Sequence, residues 1–274
     1  MLRIGITGQD GFVGTHLYNT LALFPGEFER VAFQDSFFTK EAELDAFVAT
    51  CDVIVHLAAM NRHENPQVIY DTNILLVNKL VDSLTRNNSK AHIIFSSSSQ
   101  EEKDNLYGKS KLEGREILAK WASDHGGVFT GMVIPNVFGP FGKPFYNSVI
   151  ATFCHQLTHN QVPQIAVDGE LKLIFVGELV NEIIDRIRKK QTQVQFEVSF
   201  THQAKVSEIL VLLQNYKDNY FDKGVIPPTN NSFELNLFNT FRCYIDVQNY
   251  FPVKYFKNKD ARGEFVEIDR KSVV

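Results

Sequence analysis

The segment FSSSSQEEKDNLYGKSKLEG, Phe95 to Gly114, sets a run of serines ahead of a tyrosine and a lysine four residues apart. On a helix beginning near Asn105, Tyr107 and Lys111 stand at i and i+4 on one face, while Lys109 points elsewhere. Such a pair can move a proton. A free phenol has a pKa near 10, and a cation within about 5 Å stabilises the phenolate and lowers it. A fall of about three units would represent roughly 4 kcal/mol. The run HIIFS ahead of the serines reads as a buried parallel strand, so Ser96 to Ser99 lie at its C-terminal end, where open α/β sheets place ligands. Ser98 is the hydroxyl placed to bind a reacting carbonyl oxygen. Alone, Tyr-x-x-x-Lys is common on helices and a serine run is more often a solvated turn. The strand that feeds the serines and a glycine turn at the start of the chain favour the chemical reading.

Positioning such groups takes strands, turns and helices in alternation, and the chain opens that way. Leu2 to Thr7 reads as a short buried strand, followed by a turn with Gly8, Gly11 and Gly14 and a helix with Val13, Leu17 and Leu21 on one stripe. Gly8 permits the tight turn, Gly11 lets backbone approach a pyrophosphate, and Gly14 lets the helix pack on the strand; the helix N-terminus offers amide donors. The second strand, ERVAFQDS, brings up Asp35, which either accepts from a ribose 2′-hydroxyl or is a turn residue. The helix KEAELDAFVATC leads to the strand DVIVHLAA, whose Ala58 and Ala59 let a dinucleotide lie close. His56 reads as a packed side chain. A polar loop then becomes a helix carrying Ile74, Val77, Leu80 and Val81, with Asn73 at its inner start.

Composition narrows the classes. The 274 residues are 44% apolar, enough for one large core or a nucleotide domain with a smaller lobe. A net charge of −4 without a basic block gives no support for nucleic acid or an anionic membrane. Cys51, Cys154 and Cys243 lack paired spacing, which argues against a disulfide framework or a cysteine zinc site and fits a reduced, cytoplasmic setting. No apolar run reaches about 18 residues, and the N-terminus enters a strand instead of a signal peptide. His155 and His159, at i and i+4 beside Cys154, invite a metal, but a third ligand is wanting and no metal is expected.

Together Gly8-x-x-Gly11-x-x-Gly14, His56-Leu-Ala-Ala59, Asn73, the serines and Tyr107-Gly-Lys-Ser-Lys111 resemble the extended short-chain dehydrogenase/reductase family over most of the chain. The resemblance implies an α/β fold, a doubly wound parallel sheet (Rossmann) that binds NADP(H) or NAD(H), with a small C-terminal lobe for a nucleotide-sugar. It implies Tyr107 as general acid/base, Lys111 as its partner and ribose ligand, and Ser98 as hydrogen-bond donor to the carbonyl. The implied cofactor contacts are Gly8, Asp10, Gly11, Phe12, Val13 and Gly14 in the turn, Asp35, then Leu57, Ala58, Ala59, Asn73 and Pro135. The implied substrate contacts are Asn61, Arg62, Ser99, Asn136, Tyr146, Asn147 and Ser148. Pro135 and Asn136 open a P-N-V-F-G-P segment similar to the family's, although Val133 and Ile134 stand where the family usually carries an arginine.

Within the family, the loop MNR after HLAA, the stretches LTRN, DNLYGKSKLEG and FYNSVIATFC, and the short spacing from serines to Tyr107 are similar to one subgroup. These are capsule-biosynthesis reductases of the UDP-N-acetyl-L-fucosamine route, whose reductase domain precedes a cupin domain. The organisation this implies is a nucleotide-binding domain over 1–165 and a substrate lobe with an aromatic tail over 166–256, interleaved with the first. Residues 257–274 resemble the start of that cupin, and the expectation is that the rest of it is missing. IAVDGELKLIFVGELVNEIIDRI is expected as a strand and a helix lining the rear of the lobe. The tail, with Phe233, Phe238, Phe241, Tyr244, Tyr250, Phe251, Tyr255 and Phe256, is expected to pack on its own subunit or a partner, and a homodimer is expected.

Dehydratases of the family place an Asp-Glu pair just after the hydroxyl residue; Ser99 and Gln100 follow Ser98 here, which disfavours dehydration. The subgroup resemblance implies NAD(P)H-dependent reduction of the 4-keto group of a UDP-linked 2-acetamido-2,6-dideoxy-hexose for capsular or surface polysaccharide. Its rivals are an NAD-retaining UDP-sugar 4-epimerase and a non-catalytic NAD(P)-binding sensor; Tyr107 and Lys111 argue against the sensor. On cofactor choice two lines disagree, because Asp35 suits NAD(H) whereas the subgroup uses NADPH and commonly has a basic residue where Phe37 stands.

Overall fold

Parallel strands covered by helices on both faces read as unbroken apolar runs, and VIVH and HIIFSSS form the middle of such a sheet. The structure, a computed structural model, describes residues 1–250 and 257–266. In chain order its strands are β1 (Leu2–Thr7), β2 (Phe28–Val31), β3 (Val53–His56), β4 (His92–Ser98), β5 (Val128–Ile134), β6 (Asn136–Phe138), β7 (Glu170–Phe175), β8 (Gln193–Glu197), β9 (His202–Lys205), β10 (Lys257–Asp260) and β11 (Gly263–Val266). The helices are α1 (Phe12–Leu21), α2 (Glu41–Thr50), α3 (Pro66–Arg86), α4 (Leu106–His125), α5 (Val149–Thr158), α6 (Val176–Lys189), α7 (Val206–Tyr216), α8 (Ser232–Arg242) and the single turn α9 (Val247–Tyr250).

Six strands form a parallel sheet in the order β2-β1-β3-β4-β5-β8. Side chains alternate between its faces. Ile54, Ile93, Phe95 and Phe129 meet Leu44, Phe47, Leu80, Leu118 and Trp121 from α2, α3 and α4. Ile6, Val55, Ile94 and Met132 meet Leu17 and Leu21 of α1 and Leu179, Val180, Ile183 and Ile187 of α6. After β1 the chain goes to one side for β2 and returns to the other for β3, so a crevice opens at the C-terminal ends of β1 and β3, where such sheets bind ligands.

A second sheet, β6-β7-β9, packs with α5, α7 and α8 around Phe138, Phe153, Leu157, Ile209, Leu213, Leu237 and Phe241. The two lobes exchange segments across position 165: β6 and α5 precede it and belong to the small lobe, whereas α6 and β8 follow it and belong to the large one. Helix α6 lies between the lobes, against β7 and Ile174 of the small sheet as its place after β7 suggested, and against the large sheet as well. Its apolar stripe fits the large sheet beside α1.

Two local readings shift, and a third narrows to the subunit itself. Strand β2 stops at Val31, the partner of Gly5, and Asp35 opens a 3-10 turn beyond it. Helix α3 begins two turns before Asn73, because the Asn65 side chain accepts from the Gln67 amide at 3.0 Å and Pro66 takes the first helical position. Phe233, Phe238 and Phe241 are buried inside the small lobe and are not an open surface; Phe251, Tyr255 and Phe256 lie outside the described residues. The hairpin β10-β11 pairs only with itself among the described residues, and 267–274 lie outside them.

Candidate active site

The chain leaves β1 through Gly8, whose φ of +70° suits glycine. A Cβ on Gly8 would meet the Ala58 amide nitrogen at 2.8 Å, and one on Gly14 would meet the Gly8 carbonyl oxygen at 2.2 Å. The turn is thus folded tightly between α1 and the end of β3. Gly11 caps α1 without a side-chain hydrogen bond, and the first turn of the helix carries no acidic residue. Its free amides and positive dipole end face a cleft of about 1420 Å³ that crosses the C-terminal ends of β1, β3, β4 and β5. Bare glycine backbone, open amides and a long cleft fit a dinucleotide's diphosphate.

At the far end of this cleft stand the proton-transfer groups. Asn105 caps α4, accepting from the Gly108 amide at 2.8 Å, and so fixes the start of the helix that presents Tyr107 and Lys111. The Ser98 hydroxyl, at the end of β4, lines the same cleft beside the phenol. Lys111 is buried, donates to the Ser96 carbonyl at 2.9 Å, and lies 5.8 Å from the Tyr107 ring centroid. Burial lowers the ammonium to about 8, against the opposing pull of Glu101. Burial raises the Tyr107 phenol to about 12, with Ser98 drawing it the other way. The expected depression of the phenol by Lys111 does not appear. The ammonium is turned to a main-chain carbonyl, and desolvation of the phenolate dominates.

Almost all the residues singled out from sequence line this one cleft: Gly8, Asp10, Gly11, Phe12, Val13 and Gly14; Asp35; Leu57, Ala58, Ala59, Asn61 and Arg62; Ser98, Ser99, Tyr107 and Lys111; Pro135, Asn136, Tyr146, Asn147 and Ser148. Asn73 is the exception. It is buried behind the wall, where its side chain accepts from the Met60 amide at 2.7 Å and donates to the Met60 carbonyl at 3.1 Å and the Ser110 hydroxyl at 3.0 Å. It holds the loop after β3 in place.

Several substrate-side candidates are engaged by the chain itself. Arg62 donates to the carbonyls of Phe145 and Tyr146, and Asn147 donates to the Asn61 carbonyl at 3.1 Å, so two loops are stapled across the mouth. Ser148 caps α5, accepting from the Ala151 amide at 3.2 Å, and Asn136 donates to the Lys172 carbonyl at 3.1 Å. His56 packs as expected: its ring stacks on Phe95, Nδ1 lies 2.6 Å from the Thr7 hydroxyl, and burial holds it neutral with a pKa of about 3. His155 and His159 stack at 4.0 Å, with the His159 Nδ1 on the His155 carbonyl.

Two features of the site escaped the sequence. A Cβ on Gly108 would lie 2.0 Å from the Gln100 carbonyl oxygen, so α4 packs backbone to backbone on the serine turn. Behind that turn Glu101 and Arg115 form a bidentate pair at 2.9 and 2.7 Å, nearly sealed from solvent, with Ser97 donating to the same carboxylate. The glycine in Tyr-Gly-Lys-Ser-Lys was a visible signal for the first; nothing in the spacing of Glu101 and Arg115 announced the second.

The sequence matches the NAD dependent epimerase/dehydratase family over residues 4–191. It is 29% identical over 272 residues to the UDP-2-acetamido-2,6-beta-L-arabino-hexul-4-ose reductase of Pseudomonas aeruginosa, covering 97% of this chain and 71% of that protein. The fold is similar to the capsular polysaccharide assembling protein CapF from Staphylococcus aureus, with a TM-score of 0.81 and 34% identity over 97% of this chain and 71% of that one. A UDP-glucose 4-epimerase from Thermotoga maritima shares the fold alone, with a TM-score of 0.75 and 18% identity over 89% of this chain and 98% of that one.

Proposed function

This chain belongs to the NAD dependent epimerase/dehydratase family, and from that premise we propose that it is an NAD(P)H-dependent reductase acting on the 4-keto group of a UDP-linked 2-acetamido-2,6-dideoxy-hexose. The observation that carries this reading is the convergence of Ser98, Tyr107 and Lys111 on the cleft whose other end is the bare glycine turn. When bound, the nicotinamide supplies the hydride that carbon 4 receives. The Ser98 hydroxyl holds the keto oxygen, and Tyr107 gives that oxygen its proton, so the ketone becomes an alcohol and the phenol a phenolate. A phenol raised to about 12 is fully protonated at neutral pH, the form the reductive direction needs. Lys111 is the buried cation one helical turn from that phenolate, and Ser98 is the hydroxyl beside it at the end of β4. Glycine backbone at Gly8, Gly11 and Gly14 takes the diphosphate, while Asp35, beyond β2, is placed for the adenosine ribose.

Dehydration finds no carboxylate pair here. Ser99 and Gln100 follow Ser98, and Glu101 is turned away into its bond with Arg115. The 4-epimerase reading shares every one of these residues and differs in whether the nucleotide exchanges. Turnover of a panel of UDP-4-keto sugars with NADH and NADPH, followed by nicotinamide absorbance, separates them. A reductase consumes one reduced nucleotide per sugar; protein that retains its nucleotide and interconverts sugars without net consumption is an epimerase. Among the described residues no helix is long and apolar enough to cross a membrane, and reduced nucleotide and UDP-sugar are cytoplasmic reactants. The expected homodimer cannot use Phe233, Phe238 and Phe241, whose rings the small lobe covers, and sedimentation velocity reads the state directly.

A further inference from the structure

Helix α4 carries Lys111 and Arg115 one turn apart on the same face. Lys111 faces the cleft and Arg115 lies behind it, both buried. Between β4 and this face sits the 3-10 turn Ser99–Glu102, and Glu101 is fastened there by two side chains. Arg115 grips both carboxylate oxygens, Ser97 of β4 donates to one of them, and Arg115 reaches on to the Val194 carbonyl of β8 at 3.3 Å. The same turn is what positions the serine: the Ser98 hydroxyl accepts from the Gln100 amide at 3.2 Å, and the Gln100 carbonyl is the surface against which Gly108 packs. A bidentate ion pair sealed from water is an expensive arrangement, often no more stabilising than an apolar replacement. Its position one turn from the ammonium suggests a use beyond stability.

We propose that Glu101 is a positioning residue for the proton-transfer groups: held by Arg115 and Ser97, it fixes the turn that carries Ser98 and supplies the carboxylate that keeps the buried Lys111 cationic. This rests on the reading of Ser98, Tyr107 and Lys111 given above. Each element packed on Lys111 brings its own groups. Strand β3 brings His56, neutral and so without charge to offer, and β4 brings the Phe95 ring at 5.1 Å and the Ser96 carbonyl. Helix α4 itself brings Tyr107 and Arg115, and the turn brings Glu101. Glu101 is the carboxylate that opposes the effect of burial on the ammonium. The carboxylate and guanidinium act on Lys111 with opposite signs, so removing either one has a predictable direction.

The test reads Lys111 in the cofactor-free protein, by NMR of lysine labelled with carbon-13 at Cε, with the signal assigned through Lys111→Arg. Glu101→Gln leaves an unbalanced guanidinium behind the lysine and should lower its midpoint by about one pH unit. Arg115→Gln leaves an unbalanced carboxylate and should raise it by a similar amount. A scaffold role alone predicts that both variants move the midpoint the same way or not at all, and either result overturns the proposal. Should a single variant fail to fold, the exchanged pair Glu101→Arg with Arg115→Glu retains a bridge and reverses its poles. Its midpoint must fall, and an unmoved midpoint overturns the proposal equally. In turnover, Glu101→Gln should lower kcat and bring the alkaline limb of the rate profile to lower pH, with the affinity for nucleotide near the parent's. Because the NMR titration needs neither substrate nor turnover, it can fail while the reductase reading stands, and the reverse.

Discussion

Replacing Gly108 with alanine should cripple the enzyme, although helix propensity argues that it should help. A Cβ at this position lies 2.0 Å from the Gln100 carbonyl oxygen and 2.8 Å from its carbon, both backbone atoms that no rotamer change can move. Ordinary contact begins at 3.4 Å, so helix α4 and the serine turn must part by about 1.4 Å. Tyr107 is the neighbouring residue on the helix and Ser98 is tied to Gln100 on the turn, so the displacement falls between the two groups that must hold one oxygen. A misplacement of about 1 Å in an active site costs about 100-fold in rate. Stability moves less: overpacking costs about 1–3 kcal/mol, and alanine recovers about 1 kcal/mol over glycine within a helix. The assay is kcat for 4-keto-sugar reduction by nicotinamide absorbance, alongside a urea midpoint to show that the variant is folded. Gly26→Ala is the control, since a Cβ there meets nothing within 4 Å. A folded Gly108→Ala enzyme with kcat within threefold of the parent would refute the close-packing argument.

Tyr107→Phe removes the proton donor alone and should lower kcat by about 100- to 10,000-fold while nucleotide affinity holds; turnover within tenfold of the parent would remove Tyr107 from its role. Asn73→Ala strands the Met60 amide and carbonyl in a buried wall and should cost about 1–3 kcal/mol in urea unfolding with weakened nucleotide binding; unchanged binding would show that the loop does not need its clamp. Asp35→Ala, with NADH and NADPH affinities compared by calorimetry, should shift preference towards NADPH, and no shift would make Asp35 a turn residue. Burial holds His56 and His92 neutral, at about 3 and about 4 against 6.5 when free. Unfolding therefore takes up protons below pH 6.5, so stability is full above that value and falls as the pH drops. The urea midpoint should already decline between about pH 6.5 and 5, above the range where most carboxylates titrate; a flat midpoint there would contradict the assignment.

The sequence by itself determined the large sheet, the glycine turn and the Tyr107–Lys111 pair, because each is specified locally. Unbroken apolar runs demand burial on both faces, Gly8 meets a positive φ, and an Asn105 cap sets the helical phase that puts residues 107 and 111 on one side. Tertiary structure decided everything that depends on which surfaces meet. Helix α6 follows a small-lobe strand, yet Leu179, Val180, Ile183 and Ile187 join Ile174 of that strand to Leu17 and Leu21 of α1 in one core shared with the large sheet. The aromatic residues of α8 were expected to pack on their own subunit or on a partner, and folding decided for the first, with α5 and α7 covering them. Asn73 fell within the family's pattern, but its place behind the wall depends on the path of the Met60 loop. The ionisation of the site was furthest from view. Spacing brings a cation near a phenol, but burial pushes the phenol up and the ammonium down, and the Glu101 carboxylate that opposes the shift of Lys111 comes near only when α4 lies against its turn.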